Sequence, residues 1–201
     1  MSYQTELICG VDEVGRGCLA GPMIAVAALF KGWDTGVPGV DDSKKLTSQK
    51  RDRLFPMILW SPFLIDFGVG QVEVDEINQC GMTWANSMVF YRAVEALPMK
   101  PNYLVVDGVN GVKGWNGTNQ LVETKADGKY PVVGAASILA KVIRDRHMIE
   151  LHDSFPQYGW DQNKGYGSKQ HTDALKVNGH CRHHRLQFLR KIVPQQTGWS
   201  F

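Results

Sequence analysis

Two carboxylates stand side by side at Asp12 and Glu13, where an apolar run (Leu7-Ile8-Cys9) ends, and Gly15-Arg16-Gly17 follows at once. Adjacent carboxylates repel, so a fold holds them best around a cation. Mg²⁺ is the usual one, bound by one or two carboxylates together with water and substrate phosphate. A Gly-Arg-Gly turn offers backbone amides and a guanidinium to a phosphate or a sugar. Acids for a metal beside a grip for a polynucleotide backbone point to a metal-dependent nuclease. Two further acids extend the set. Asp107 closes the apolar stretch Tyr103-Leu104-Val105-Val106, and Asp127 follows Lys125-Ala126. For Asp127 an ordinary turn acid is an equal reading. Four acids on one sheet edge would suit two ions about 3.5–4 Å apart, one to activate water and one to stabilise the leaving oxygen.

Other polar groups admit two readings each. Ser137, Lys141 and Asp145 recur at a spacing of four in an otherwise apolar helix and share one face, which either lines a crevice or is a solvated stripe. Tyr166 stands between Gly165 and Gly167, as a stacking surface for a sugar or base or as an anchor for its own loop. Residues 164–191 are rich in Lys, Arg and His with Asp173 as their one acid, a basic stretch suited to phosphate contacts or to a solvated face. His180-Cys181-Arg182-His183-His184 has no familiar zinc spacing, and its arginines would repel a cation. The pattern Gly15-x-Gly17-x-x-Ala20 loosely fits a dinucleotide site, with Asp41 and Asp42 near its ribose acid. Residues 22–30 read as a strand rather than the helix such a site needs, and Asp12 and Glu13 would repel a pyrophosphate.

The elements that position these residues follow from periodicity. Residues 7–14, 22–30, 63–72, 103–106 and 121–123 read as strands, and 22–30 is apolar enough to be buried on both faces. Helices are expected from Thr47, over 75–97 with Pro98 as a stop, and over 131–151. Residues 32–42 and 111–119 are loops, and 164–192 mixes loop and helix. Strands first, then strand and helix in alternation, predict an α/β fold: a mixed sheet flanked by helices, with a helical C-terminal part. Acids at the C-terminal ends of neighbouring strands would converge where such sheets place ligands.

The bulk numbers agree. A chain of 201 residues, 43% hydrophobic, supports one core. A net charge of +2 does not itself demand a nucleic acid. There is no apolar run of about 18 residues and no signal-peptide order at the N-terminus, so a membrane is not expected. Cys9, Cys18, Cys80 and Cys181 form no Cys-x-x-Cys pair and read as reduced thiols of a cytoplasmic protein.

Taken in order, the motifs resemble one family, ribonuclease HII (type 2 ribonuclease H). They are Gly-Val-Asp-Glu-Val-Gly-Arg-Gly at 10–17 with Ala20-Gly21-Pro22, Asp42-Ser43-Lys44-Lys45-Leu46, Val106-Asp107-Gly108, Lys125-Ala126-Asp127, residues 135–142, Arg144-Asp145, Gly165-Tyr166-Gly167, and His184-Arg185 with Phe188. The resemblance implies a ribonuclease H-like domain over 1–192 with a short tail at 193–201. It implies an endonuclease that hydrolyses the RNA strand of RNA–DNA hybrids and nicks 5′ to single ribonucleotides in duplex DNA, leaving 3′-hydroxyl and 5′-phosphate ends. By it, Asp12, Glu13, Asp107 and Asp127 hold Mg²⁺ or Mn²⁺, two ions with substrate bound. Gly15-Arg16-Gly17 senses the 2′-hydroxyl at the ribo–deoxyribo junction, and Tyr166 stacks on the sugar beyond it. Lys44, Ser137 and Lys141 are phosphate or supporting groups. The segment 109–119 with Trp115, and Gly179-His180-Cys181-Arg182, depart from the family pattern. The start close to the first catalytic strand, together with Tyr166, favours type 2 over the related ribonuclease HIII. A monomer is expected, and the tail with Trp199 and Phe201 is a candidate sliding-clamp contact. The alternative class is a nucleic-acid-binding module that kept the fold without the activity, which four acids near phosphate disfavour.

Overall fold

The computed structural model describes residues 6–40, 46–115, 119–190 and 192. Its strands are β1 (Leu7–Val14), β2 (Met23–Lys31), β3 (Leu64–Val72), β4 (Tyr103–Asp107) and β5 (Asn119–Glu123). Its helices are α1 (Ser48–Leu59), α2 (Val74–Glu95), α3 (Pro131–Ser154), α4 (Trp160–Asn163), α5 (Lys169–Asn178) and α6 (Leu186–Leu189). The chain is an α/β fold with a mixed sheet, flanking helices and a helical C-terminal part, and it divides into two compact units. No helix among the described residues is long and apolar enough to cross a membrane.

The first unit lies within Met1–Val14, Ile24–Gln71 and Ser87–Val142 and carries the sheet, in the order β3-β2-β1-β4-β5. β1 runs antiparallel to β2 and parallel to β4, and β4 is parallel to β5. Every residue of β2 except Lys31 is buried, as expected of a strand covered on both faces. The segment after Gly17 is therefore strand, and the dinucleotide pattern lacks its helix. Two helices approach the sheet so closely that only glycine fits beneath them. A Cβ on Gly10 of β1 would lie 2.1 Å from the carbonyl oxygen of Val132 in α3. Gly68 and Gly70, two apart and so on one face of β3, would meet the carbonyl oxygens of Ala93 and Val89 in α2, each at 2.1 Å. Thr47 starts α1 by accepting the amide of Lys50 on its hydroxyl at 3.2 Å.

The second unit lies within Gly15–Met23, Val72–Asn86 and Ile143–Phe201. Leu19, Met148, Tyr158, Trp160, Leu175 and Leu189 form its core, with the Tyr158 and Trp160 rings stacked at 5.2 Å. Ser168 caps α5 through the amide of His171 at 3.2 Å. One expectation needs amending here. The helix expected over 75–97 is interrupted at Gly81, whose φ of 79° and ψ of 167° are not helical. A lone glycine in an apolar helical pattern gives no warning of a break, because helices tolerate it at about 1 kcal/mol.

Gly10→Ala is expected to lower the stability of the folded protein by at least about 2 kcal/mol, since α3 must move off the sheet. Urea unfolding of the two proteins checks this. A midpoint unchanged by the substitution would show that α3 is not in contact with β1 as described.

Candidate active site

The acids are brought together by strand register. Val11 of β1 pairs with Val106 of β4 in a parallel ladder, so the next residues along the two strands are Asp12 and Asp107. Neighbouring strands are about 4.8 Å apart, and both carboxylates emerge at the C-terminal end of the sheet. Asp127 arrives by a different route. After β5, Lys125 adopts a left-handed conformation (φ 61°, ψ 34°) and starts a single 3-10 turn, Ala126–Gly128. The amide of Ala126 donates to Asp107 Oδ1 at 3.1 Å, so the turn is tied to the strand-end acid it accompanies. Glu123, in register with Asp107 on β5, holds the far side of the turn. It accepts hydrogen bonds from Lys129 Nζ and, at 2.9 Å, from the Tyr130 hydroxyl. Those two bonds hold the Glu123 carboxyl below its ordinary range.

Asp12, Asp107 and Asp127 each present a carboxylate oxygen within 4.8 Å of the others, and all three are buried (3%, 9% and 3% exposed). Among the described residues this is the one group of three or more potential metal ligands. The amide of Glu13 donates to Asp12 Oδ1 at 2.7 Å and orients it. Glu13 itself is half-buried and not part of the group. Three carboxylates this close and this dry repel one another, and a cation between them offsets that repulsion. An all-oxygen, anionic donor set fits a hard divalent ion.

The second unit holds the glycine turn and Tyr166, and two arginines organise both. Arg144 and Arg185 are 0% exposed. Arg144 donates to the carbonyls of Pro22 (Nε, 2.9 Å), Lys164 (Nη1, 2.9 Å) and Ala20 (Nη2, 3.0 Å). Arg185 donates to Gly15 (Nη1, 2.6 Å), Arg16 (Nη1, 3.0 Å) and Gly21 (Nε, 3.0 Å; Nη2, 2.7 Å). Backbone carbonyls thus solvate both buried guanidiniums and are themselves fixed. Burial pulls the Arg185 pKa down to about 10, and the charge of Arg144 adds to the effect. Gly15 is buried with φ 88°, and a Cβ there would lie 2.2 Å from Arg144 Nε. Gly17 is different. It is exposed beside exposed Arg16, and a Cβ on it would meet nothing within 4 Å. The fold demands a glycine at 15, whereas at 17 the bare backbone is open to an outside molecule.

Tyr166 is 41% exposed, with the Arg144 guanidinium carbon 5.9 Å from its ring centroid. Burial, and then the Cys18 side chain beside it, push its hydroxyl up to about 12. Its loop is fastened to the glycine turn by Leu19 N–H donating to the Gly165 carbonyl at 2.8 Å. Of the remaining expected residues, Ser137 is buried on α3, Lys141 and Asp145 are half-buried, and Lys44 lies outside the described residues. The basic stretch needs correcting in part. His171, His184 and Arg185 are interior and cannot meet phosphate, while Lys169, Lys176, Arg182 and Arg190 are exposed.

Residues 9–191 match the ribonuclease HII family. A curated ribonuclease HII of Burkholderia mallei is 42% identical over 185 residues, covering 91% of this chain and 83% of the relative. The chain belongs to the ribonuclease HII family. Its fold is similar to the ribonuclease H2 of Pyrococcus horikoshii (TM-score 0.75, 31% identity, 92% of this chain and 96% of that one). It is also similar to the ribonuclease HII solved in complex with PCNA from Archaeoglobus fulgidus (TM-score 0.78, 26% identity, 96% and 98%). Membership makes the chain a metal-dependent endoribonuclease of the ribonuclease H type, acting on RNA–DNA hybrids. The buried acids are the residues suited to hold its metal.

Reading the residues one at a time missed the roles of Arg144, Arg185, Lys125 and Glu123. A signal for Arg144 was present. Ala136, Ala140, Arg144 and Met148 recur every four residues and all are fully buried, so the arginine sits on the apolar stripe of α3. No comparable signal marks Arg185.

The two glycines are expected to behave differently. Gly15→Ala should cost about 2 kcal/mol or more through the Arg144 overlap and the positive φ, whereas Gly17→Ala should stay within about 0.5 kcal/mol of the parent. Equilibrium denaturation separates them, and equal losses would contradict the open space described at Gly17.

Proposed function

We propose that this ribonuclease HII nicks 5′ to a single ribonucleotide embedded in duplex DNA, as well as cutting continuous hybrids, and leaves 3′-hydroxyl and 5′-phosphate ends. The observation that carries the junction reading is Gly17: an exposed glycine whose missing side chain serves no packing need. A 2′-hydroxyl is donor and acceptor in one group, and it is what separates RNA from DNA at a single nucleotide. Backbone amides and carbonyls can reach it only where no side chain intervenes. Arg185 holds the Gly15 and Arg16 carbonyls from the inside, which keeps the turn in one conformation before substrate arrives.

In this proposal Asp12, Glu13, Asp107 and Asp127 hold Mg²⁺ or Mn²⁺. Bound there, two divalent ions supply an activated water and stabilisation of the departing 3′-oxygen. Asp12, oriented by the Glu13 amide, and Asp107, oriented by the Ala126 amide, present fixed oxygens and need little rearrangement to bind. Arg16, exposed, supplies a guanidinium to the backbone near the junction. The exposed face of the Tyr166 ring stacks on the sugar beyond the junction, while Arg144 supports the ring. Lys44 and half-buried Lys141 contact phosphate, and buried Ser137 supports the site. The protein acts as a monomer, and the tail over 195–201 binds a sliding clamp, a reading supported by the clamp-bound relative from Archaeoglobus fulgidus.

The test is cleavage of a DNA duplex holding one ribonucleotide, and of a continuous RNA–DNA hybrid, with Mg²⁺, Mn²⁺ or EDTA. The parent should nick 5′ to the ribonucleotide in a metal-dependent way. Asp12→Asn and Asp107→Asn should lose activity by roughly a thousandfold or more while still binding substrate. Gly17→Ala and Tyr166→Ala should lose more on the single-ribonucleotide duplex than on the hybrid. Cutting of the hybrid alone would remove the junction reading. Cutting of neither substrate would leave a nucleic-acid-binding module.

A further inference from the structure

Two histidines in the second unit are wholly buried and no part of the proposed chemistry uses them. His171 and His184 are each 0% exposed, packed among Tyr158 and Trp160. Their nitrogens form a chain. The Trp160 indole Nε1 lies 3.2 Å from His171 Nε2, and His184 Nε2 lies 3.1 Å from the same atom. His171 Nδ1 lies 2.9 Å from the carbonyl oxygen of Tyr166, and the amide of Cys181 lies 3.0 Å from His184 Nδ1.

The groups around the pair fix where each proton sits. An indole N–H can only donate, so His171 Nε2 accepts. A backbone carbonyl can only accept, so His171 Nδ1 carries the proton and donates to Tyr166. A protonated His171 would turn an N–H toward the indole N–H and is ruled out. The one lone pair of His171 Nε2 is shared by two donors, the indole N–H and His184 Nε2–H, because a bare His184 Nε2 would set lone pair against lone pair. His184 Nδ1 is then bare and accepts the Cys181 amide, a role the amide requires independently. The Cys181 carbonyl also lies 3.3 Å from Nδ1, but the shorter amide contact and the demand from His171 agree on acceptance. Burial, which comes first, depresses both pKa values, His184 to about 3, so both rings are neutral.

We propose that His171 and His184 are positioning residues for Tyr166, forming a one-way hydrogen-bond relay from the Cys181 amide to the Tyr166 carbonyl that fixes the backbone carrying the tyrosine ring. The proposal rests on the reading of Tyr166 as the ring that stacks on the sugar beyond the junction. The loop needs such a hold. Lys164 (φ 50°) and Gly165 (φ 83°) are both left-handed, so the chain reverses sharply just before the tyrosine. The Tyr166 carbonyl is gripped from two sides, by His171 Nδ1 and by the Ser168 amide at 2.8 Å. Bonds in such a chain polarise one another, and a buried partner left without its bond is destabilised more than the bond alone is worth. Loosening the relay would release the ring and so affect recognition of a single ribonucleotide more than cutting of a long hybrid.

Two measurements test this. The first is imidazole ¹H–¹⁵N long-range correlation NMR on the parent protein at pH 7. His171 should be the Nδ1–H tautomer and His184 the Nε2–H tautomer; the opposite proton on either ring overturns the relay. The second is the ratio of kcat/KM on a single-ribonucleotide duplex to kcat/KM on a continuous hybrid, for the parent, His171→Leu, His171→Asn and Tyr166→Ala. His171→Leu removes the donor to Tyr166 and should lower the ratio about tenfold. His171→Asn places an amide N–H where Nδ1–H stood and should restore most of the ratio. Equal losses on both substrates, or no rescue by asparagine, would overturn the positioning role. A Tyr166→Ala protein with an unchanged ratio would overturn the reading of Tyr166 itself, and the tautomers would then show whether the relay nonetheless exists. Should His171→Leu fail to fold, the tautomers and His171→Asn still decide.

Discussion

Three buried carboxylates meeting within 4.8 Å is the constraint on which the first unit depends. Like charges in a poorly solvated place repel and are held together best by a cation between them. Much of the surrounding architecture keeps them there. β1 and β4 must be parallel neighbours in one register, or Asp12 and Asp107 would not share a strand end. A slip of one residue would turn one carboxylate to the other face of the sheet. The Cβ-free surface of Gly10 lets α3 lie against β1 and fixes that central strand from above. Asp127 comes from outside the sheet and needs a left-handed lysine, a single 3-10 turn and an amide bond to Asp107 to reach its place. Lysine in that conformation is strained by about 1–2 kcal/mol, consistent with a backbone held for a functional purpose.

The second unit is organised by buried donors rather than buried acids. Among the described residues Arg144 and Arg185 have no carboxylate partner in their hydrogen bonds; carbonyls of residues 15, 16, 20, 21, 22 and 164 take that role. A guanidinium has five donors in a rigid fork, so one side chain can fix several carbonyls at once. The glycine turn and the tyrosine loop are thereby set by the same two residues. Rigidity of this kind suits a surface that distinguishes one hydroxyl group on one nucleotide, since a loose turn would adapt to either sugar.

Much of this was legible in the sequence. The strands at 7–14 and 103–106 and the acids near their ends are readable because an apolar run followed by aspartate is the pattern of a buried strand reaching the sheet edge, although β1 runs two residues past Asp12 and β4 takes in Asp107. The buried strand after Gly17 was legible from its composition, and it disposed of the dinucleotide reading. Asp127 was ambiguous as a single residue, because turn acids are common, and only the tertiary approach of its 3-10 turn to β4 shows that it lies beside Asp12 and Asp107. The basic stretch misled in part because composition does not report burial: Arg185, His171 and His184 look like surface cations and lie in the core. The break at Gly81 was hidden for the opposite reason, since the apolar spacing continues across it. The distinction between Gly15 and Gly17 was invisible in the motif, where both are simply glycine, and depends on what a Cβ would meet.

Diffraction from crystals soaked in Mn²⁺, recorded for its anomalous signal, tests the central claim most directly. Anomalous density bridged by the carboxylates of Asp12, Asp107 and Asp127 is the predicted result, and it should vanish in Asp107→Asn crystals. No ion at that place in Mn²⁺-saturated crystals, or an ion held only by other residues, would contradict the account of the acids as the metal centre on which the fold is built.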